Sequence, residues 1–329
     1  MNVPLGVFAA VMLARSFRER VERQRRSIDY AGAALLTFGC SLLILGLLEG
    51  GAAWAWDSAV SVAIFVVGAA ALAVFVLVER RAAEPVLPLW VFRRRTVVGG
   101  NLVSLVVGAL MVGLSSFLPT FVEGVVGTGA LVAGFALAAL TIGWPLSASL
   151  SGRIYLRIGF RDTALIGSVL VVAGTVLVAL LGVSATVWHA AGAAFVLGAG
   201  LGLIASPTMV AVQAGVGWAE RGVATGSNMF FRSLGSAVGA AMFGAIANAT
   251  LAARFAAAPP ELAGRLPTGA DPADAAGIVL GGPGEVSAIT GFVRTALYDA
   301  LHNVFVAMVA VAILTVGALF LMPRRTPVA

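Results

Sequence analysis

Long apolar runs recur along this chain, separated by short polar gaps. Seven of them approach or exceed the roughly 20 residues that a helix needs to cross about 30 Å of hydrocarbon: 31–49, 59–78, 97–121, 130–150, 164–183, 188–212 and 303–322. An eighth, 222–248, is small and apolar but interrupted by Arg232. Ahead of them lies a stub, Val3 to Ala14, too short to cross. Its positive charges follow the apolar stretch, whereas a signal peptide carries them in front. The stub reads as a membrane helix without its outer end, and the sequence predicts a chain that begins partway through a larger protein.

The gaps alternate in charge. All 21 basic residues are Arg. Arg15, Arg18, Arg20, Arg23, Arg25 and Arg26 crowd the first gap, and the second, Glu49 to Ser58, has none. Arg80, Arg81, Arg93, Arg94 and Arg95 fill the third, and the fourth, Glu123 to Ala130, is bare. Then come Arg153, Arg157 and Arg161, a bare gap, Arg221 with Arg232 beyond it, a long gap, and Arg324 with Arg325. Cationic loops stay on the cytoplasmic side during insertion. The pattern therefore predicts a multi-pass protein of the cell inner (plasma) membrane with a cytoplasmic C-terminus.

The long gap, 252–299, is the one extended polar stretch. Pro259, Pro260, Pro267, Pro272 and Pro283 argue against a continuous helix there, and parity makes it extracytoplasmic. The expectation is a flexible loop.

Composition removes the soluble alternative. Sixty per cent of residues are apolar and 11% charged, against roughly 25% charged in a soluble domain. The net charge of +6 does not point to nucleic acid, because the Arg residues are divided among short loops and form no single basic face. A single Cys, Cys40, excludes an internal disulfide framework.

Chemistry-bearing clusters are sparse. His189 and His302 lie far apart with no Cys or carboxylate cluster beside them, so no metal site, no cofactor and no catalytic group is predicted. Gly198-Ala199-Gly200-Leu201-Gly202 begins like a dinucleotide fingerprint, but Leu203 breaks it and no strand precedes it. These glycines, like Gly235-x-x-x-Gly239, suit close helix packing. Arg232 is costly inside a span unless it pairs, faces water or snorkels; two readings stand, snorkelling to the cytoplasmic surface or facing an aqueous cavity. Asn101, Ser104, Ser115, Gln213 and Asn228 either line that cavity or serve as interhelical hydrogen-bond glue. Trp144-Pro145 and Ser206-Pro207 mark expected kinks. Glu123 is read as an exposed outer-loop acid, with a proton-coupling role as the alternative.

Several motifs, in order, resemble one family. Asn2-Val3-Pro4-Leu5-Gly6 with its Arg-rich exit looks like helix six of the fourteen-helix drug:proton antiporters of the major facilitator superfamily. Asp29-Tyr30-Ala31-Gly32 resembles the start of their helix seven, and Glu49-Gly50-Gly51 with Trp54-Ala55-Trp56 the turn before helix eight. Gly143-Trp144-Pro145 and the run from Ser151 to Arg161 resemble the end of helix ten and the cytoplasmic loop that follows it. Glu220-Arg221-Gly222-Val223-Ala224-Thr225-Gly226-Ser227-Asn228, Phe231-Arg232 and Leu234-Gly235 resemble the beginning of helix thirteen. One departure stands out. The loop pattern places Asp where this chain has Leu156, while Gly152, Arg157 and Gly159 keep their places.

The resemblance implies an all-α, polytopic transmembrane bundle: the C-terminal half of the major facilitator fold plus an extra helix pair, with helices one to five lacking. Its parts would be a truncated helix six at 1–15, a basic cytoplasmic loop at 16–28, the extra pair at 29–80 and a cytoplasmic loop at 81–96. A six-helix bundle at 97–323 contains the outer loop 252–299, and 324–329 form the tail. Such transporters are inverted three-helix repeats around a midplane site, here helices nine to eleven and twelve to fourteen. The implied substrate path is Asn101, Ser104, Met111, Ser115, Phe117, Phe135, Met209, Gln213, Asn228 and Arg232. The function implied is efflux of drug-like or toxic small molecules by proton antiport. Partners would be a small-molecule substrate, protons and the lipid bilayer, with a missing N-terminal half or another membrane subunit. The rival reading is a transport-incompetent subunit or regulator that pairs with another half-transporter. A membrane-embedded enzyme finds no catalytic cluster to support it.

Overall fold

The computed structural model describes residues 2–16, 29–50, 53–82, 85–263, 266, 271–281 and 288–323. The Arg18-to-Arg26 cluster, the tail arginines and parts of the long outer segment lie outside these residues. The described residues form α-helices joined by short turns, and eight of the helices are long and apolar enough to cross a membrane. They are α2 (Tyr30–Glu49), α3 (Ala59–Glu79), α4 (Arg95–Gly124), α5 (Ala130–Ile158), α6 (Phe160–Ala179), α7 (Val187–Ala214), α8 (Arg221–Ala256) and α11 (Ala288–Phe320). The shorter helices are α1 (Asn2–Ser16), α9 (Pro260–Ala263) and α10 (Pro272–Gly281). The predicted runs and observed helices coincide in number and order. Every described side chain of α1 is exposed.

The six helices from α4 onward pack in a symmetric scheme. α4 lies along α8 as α5 lies along α7, and α6 packs on α7 as α11 packs on α4. Exchanging α4-α5-α6 with α7-α8-α11 maps these pairings onto themselves, as inverted repeats require. The α2–α3 hairpin pairs with itself and touches the bundle through α8.

Glycine decides where backbones meet. A Cβ on Gly235 would collide with the Leu105 carbonyl, and one on Gly108 with the Arg232 carbonyl, so the α4–α8 crossing exists only without those side chains. Gly143, Gly198 and Gly202 do the same between α5 and α7. Gly167, Gly174 and Gly200 do so between α6 and α7. Gly198 and Gly202 thus serve one face of α7 and Gly200 another. Pro119, Pro145 and Pro207 all lie inside continuous helices. Near the last two, Ser151 Oγ donates to Ser206 Oγ at 3.0 Å and joins α5 to α7.

The Arg-bearing ends gather at one end of the bundle. Arg94 at the start of α4 pairs with Glu220 just before α8, 2.9 Å apart, and also donates to the Gly215 carbonyl after α7. The Arg161 guanidinium on α6 lies 5.0 Å from the Phe320 ring centre at the end of α11. Phe75 near the end of α3, with Leu87 and Val91 beyond it, belongs to one buried apolar cluster with Val212 at the end of α7 and Val216 just after it.

The opposite end corrects the expectation for 252–299. α8 runs on to Ala256, α10 spans Pro272–Gly281, and α11 starts at Ala288. The prolines do keep the helices separate, but Pro260 and Pro272 occupy the first position of α9 and α10, where a missing N–H costs nothing, so they start helices instead of leaving a loop. Asp271 caps α10, its Oδ1 accepting from the Ala273 N–H at 2.7 Å. Ala275 and Ala276 are buried, and α10 packs on α11 and α4. Arg254 and Asp299 join the extended ends of α8 and α11 at 2.7 Å, and Asn303 Nδ2 donates to Thr250 Oγ1 at 3.2 Å.

Substituting Gly235 by Ala forces α4 and α8 apart, and an overpacked contact of this kind costs about 1–3 kcal/mol. Thermal unfolding in detergent will show a lowered midpoint for Gly235→Ala. Gly244→Ala on the same helix, where a Cβ meets nothing within 4 Å, will leave it unchanged. Equal midpoints for the two variants would refute the close-approach account.

Candidate functional site

The polar residues within the spans converge on the α4–α8 crossing. Asn228 Oδ1 accepts from Ser104 Oγ at 2.8 Å, and its Nδ2 donates to the Gly100 carbonyl at 3.0 Å. One level away, Asn101 Nδ2 donates to Ser227 Oγ at 3.3 Å. Ser227 in turn donates to the Ala224 carbonyl at 2.9 Å. Further along, Ser236 Oγ lies 3.2 Å from the Gly108 carbonyl and 3.1 Å from that of Arg232. Asn101, Ser104, Ser227 and Asn228 are all buried. Their donors and acceptors face each other across the seam, so the arrangement is the interhelical glue weighed from the sequence.

The remaining path residues separate into three groups. Gln213 at the end of α7 donates through Nε2 to Thr225 Oγ1 of α8 at 3.0 Å. Phe117 packs against the main core cluster. Met111 and Phe135 are exposed, at 39% and 68%, while Ser115 and Met209 are half-buried. The Ser115 hydroxyl returns to the Val112 carbonyl of its own helix at 3.2 Å. The structure therefore brings Asn101, Ser104 and Asn228 together and leaves Met111, Ser115, Phe135 and Met209 apart from them.

Arg232 differs from all of these. It lies about three turns into α8, which begins at Arg221. It is half-buried, and its guanidinium pairs with no carboxylate among the described residues. In the α5–α6 corner, Gly159 adopts φ 93°, a conformation that strains any residue with a Cβ. Its N–H donates to the Tyr155 carbonyl at 2.9 Å and ends α5. Gly152 is half-buried, while Leu156 and Arg157 project outward, and the acid of this corner is Asp162 in the first turn of α6.

Titratable groups assemble into no reaction centre. His189 serves as a helix cap, its Nδ1 accepting from the Thr186 N–H at 3.2 Å, and His302 lies against Tyr298. No group of three or more metal-ligating side chains occurs among the described residues. The Arg94–Glu220 pair and the seam partner Ser227 went unnoticed in the sequence. Glu220 and Ser227 lay inside a motif read as a block and Arg94 was read as a loop charge, and only the crossing of α4 with α8 shows what each meets.

The sequence pattern of the Major Facilitator Superfamily matches residues 4–240. The chain belongs to the Major Facilitator Superfamily. Membership makes it one of a family of membrane transporters rather than of enzymes. It is 28% identical to the multidrug transporter protein MdtP of Bacillus subtilis over 351 residues, covering 99% of this chain and 64% of that protein. It is 29% identical to multidrug resistance protein 3 of the same organism, over 75% of this chain and 48% of that one. A tetracycline resistance determinant of Streptomyces rimosus is 31% identical over 70% of this chain and 66% of its own length. The chain thus spans about half to two thirds of the length of these relatives. Among solved structures, a bacterial homolog of the human lysosomal transporter Spinster, inward-facing and occupied, aligns with TM-score 0.55. That match has 18% identity and covers 89% of this chain and 63% of the other. It shares the fold.

The seam makes a definite claim about Asn228. Asn228→Ala leaves the Ser104 hydroxyl without its acceptor, and interhelical hydrogen bonds in membranes average about 0.6 kcal/mol. The variant will unfold at a lower temperature in detergent while ligand binding stays within about twofold, the change that 0.4 kcal/mol would give. Unchanged stability with lost binding would instead place Asn228 on the substrate path.

Proposed function

We propose that this protein exports drug-like or toxic small molecules from the cell in exchange for protons, its Arg-rich end facing the cytoplasm. The observation that carries the reading is the similarity along 99% of the chain to a multidrug transporter. Similarity to a tetracycline resistance determinant points the same way. The bundle α4 to α8 with α11 serves as the C-terminal half of the transporter, and the α2–α3 hairpin as the extra pair of a fourteen-helix plan. Met111, Ser115, Phe135 and Met209 form an adaptable apolar wall, since thioether and ring surfaces accommodate many shapes. Arg232 is the charged member of that path. A depth of three turns with no acidic partner suits a cation that meets water or substrate. Asn101, Ser104 and Asn228 hold the wall in position, while Gly152, Arg157 and Gly159 shape the cytoplasmic corner.

A second reading draws on α5, whose exposed Leu131, Phe135, Ile142, Leu146 and Leu150 lie on one side at helical spacing. It makes the chain a subunit that pairs with another half-transporter.

Ethidium accumulation in an efflux-deficient host tests the first reading. Expression of the chain will lower accumulation, and a protonophore will abolish the effect. Arg232→Gln will reduce export about tenfold, and Arg232→Lys will restore part of it. Accumulation indifferent to both expression and protonophore rules out export by this chain. A stable hetero-oligomer recovered alongside that result would favour the subunit reading.

A further inference from the structure

A groove of about 620 Å³ opens on the side of the bundle between α6 and α7, at the end opposite the arginines. Leu177, Leu180 and Leu181 form one wall, and Trp188, Gly192 and Val196 the other. From Trp188 to Val196 it runs about 12 Å along α7, starting at the helix end and heading into the span. None of the proposed path residues lines it. Its mouth is polar, with Ser184 and His189 on the connecting turn.

Beside that mouth sits a cation with unused donors. Arg294 of α11 donates through Nε to the Val125 carbonyl at 2.7 Å and through a terminal nitrogen to the Val183 carbonyl at 3.4 Å. Val183 lies between Gly182 and Ser184, both part of the groove lining. An Arg has five N–H donors, so both hydrogens of one terminal nitrogen and one of the other stay available. No ion pair with Arg294 occurs among the described residues. That includes Glu123, two residues before Val125. Asp299, on the same helix, is taken by Arg254.

We infer that the α6–α7 groove is a seat for one membrane phospholipid, an acyl chain lying along Gly192 and its phosphate held by Arg294. Three observations agree on that occupant. The groove is largely apolar and lies along a membrane-spanning helix, with Leu177, Leu180 and Gly192 exposed on or at the end of helices long and apolar enough to meet hydrocarbon. The charge sits at the end of the span, at headgroup level. Trp188, 85% exposed at the mouth, is the residue type that marks this boundary. Arg matches phosphate geometry with paired donors, and Ser184 adds a hydroxyl to the same position. The ligand is the intact lipid, because free phosphate has no use for the groove and a hydrocarbon alone has none for the Arg.

Native mass spectrometry of the full chain with dioleoyl phosphatidylglycerol tests this directly. A Cβ at Gly192 meets nothing within 4 Å, so Gly192→Leu fills the groove without disturbing the helices. Val196→Trp fills it from the other end and serves if the first variant folds poorly. Wild-type protein will retain one tightly bound lipid, and either groove variant will bind it at least fivefold more weakly. Arg294→Gln will weaken phosphatidylglycerol to a similar degree and leave dioleoylglycerol, which lacks the phosphate, unaffected; Arg294→Lys will recover most of the loss. Lipid retention by Gly192→Leu equal to wild type overturns the proposal. So does displacement by glycerol phosphate at matching concentration, which would assign the site to a free phosphate. A lipid-free dimer lost in Gly192→Leu would also overturn it, since a second copy would then fill the groove.

Discussion

Apolar side chains in a bilayer gain nothing by leaving lipid for the face of another helix, so association depends on how closely the backbones approach. That requirement organises this bundle. At each main crossing a Cβ is missing where a carbonyl or Cα of the neighbour arrives: Gly108 and Gly235 between α4 and α8, Gly198 and Gly202 between α5 and α7, Gly200 between α6 and α7. Short separation also brings peptide carbonyls within reach of the Asn228 and Ser236 side chains. The hydrogen bonds of the seam are therefore a result of the glycines as much as a second source of cohesion.

The symmetric pairings draw on glycine unequally. α7 lies between two neighbours that bring glycines to it, α5 and α6, and α4 has one such neighbour, α8, while its contact with α11 is filled by Phe121 against Phe305. Charge then marks the ends of the bundle. The Arg94–Glu220 pair and the Arg161–Phe320 contact tie four helix ends in two pairs at one rim. The far rim depends on Arg254 and Arg294 instead. Cations thus appear at both ends of the fold. Only their density differs, and insertion reads density.

Much of this was legible from hydropathy and Arg placement alone. Run length located every spanning helix, because crossing hydrocarbon leaves a demand that no tertiary contact can override. The segment 252–299 was only half read: its prolines do separate the helices, but Asp271-Pro272 is also a start signal, and α10 packs as an ordered helix. The polar residues were found but not their roles. Whether Asn228 faces a cavity or a neighbour depends on which helix packs against that side of α8, and the pattern within one helix does not name its neighbour. Phe117 was misplaced for the same reason, its ring packing on the core. Arg232 could be singled out because a charge in a span is conspicuous wherever it points.

The joined extension of α8 and α11 has a mechanical meaning. α8 has 36 residues, about 54 Å at 1.5 Å per residue, well beyond the hydrocarbon thickness. Arg254–Asp299 and Asn303–Thr250 join α8 to α11 about one and a half and two and a half turns further into the span than Arg294, so the two helices form a stiff pair rather than two loose rods. A rod pivoting inside the membrane moves most at the point farthest from its pivot. Any rocking of the bundle that is barely measurable among the packed spans becomes a wider sweep at the far end of this coupled pair, where it can be watched.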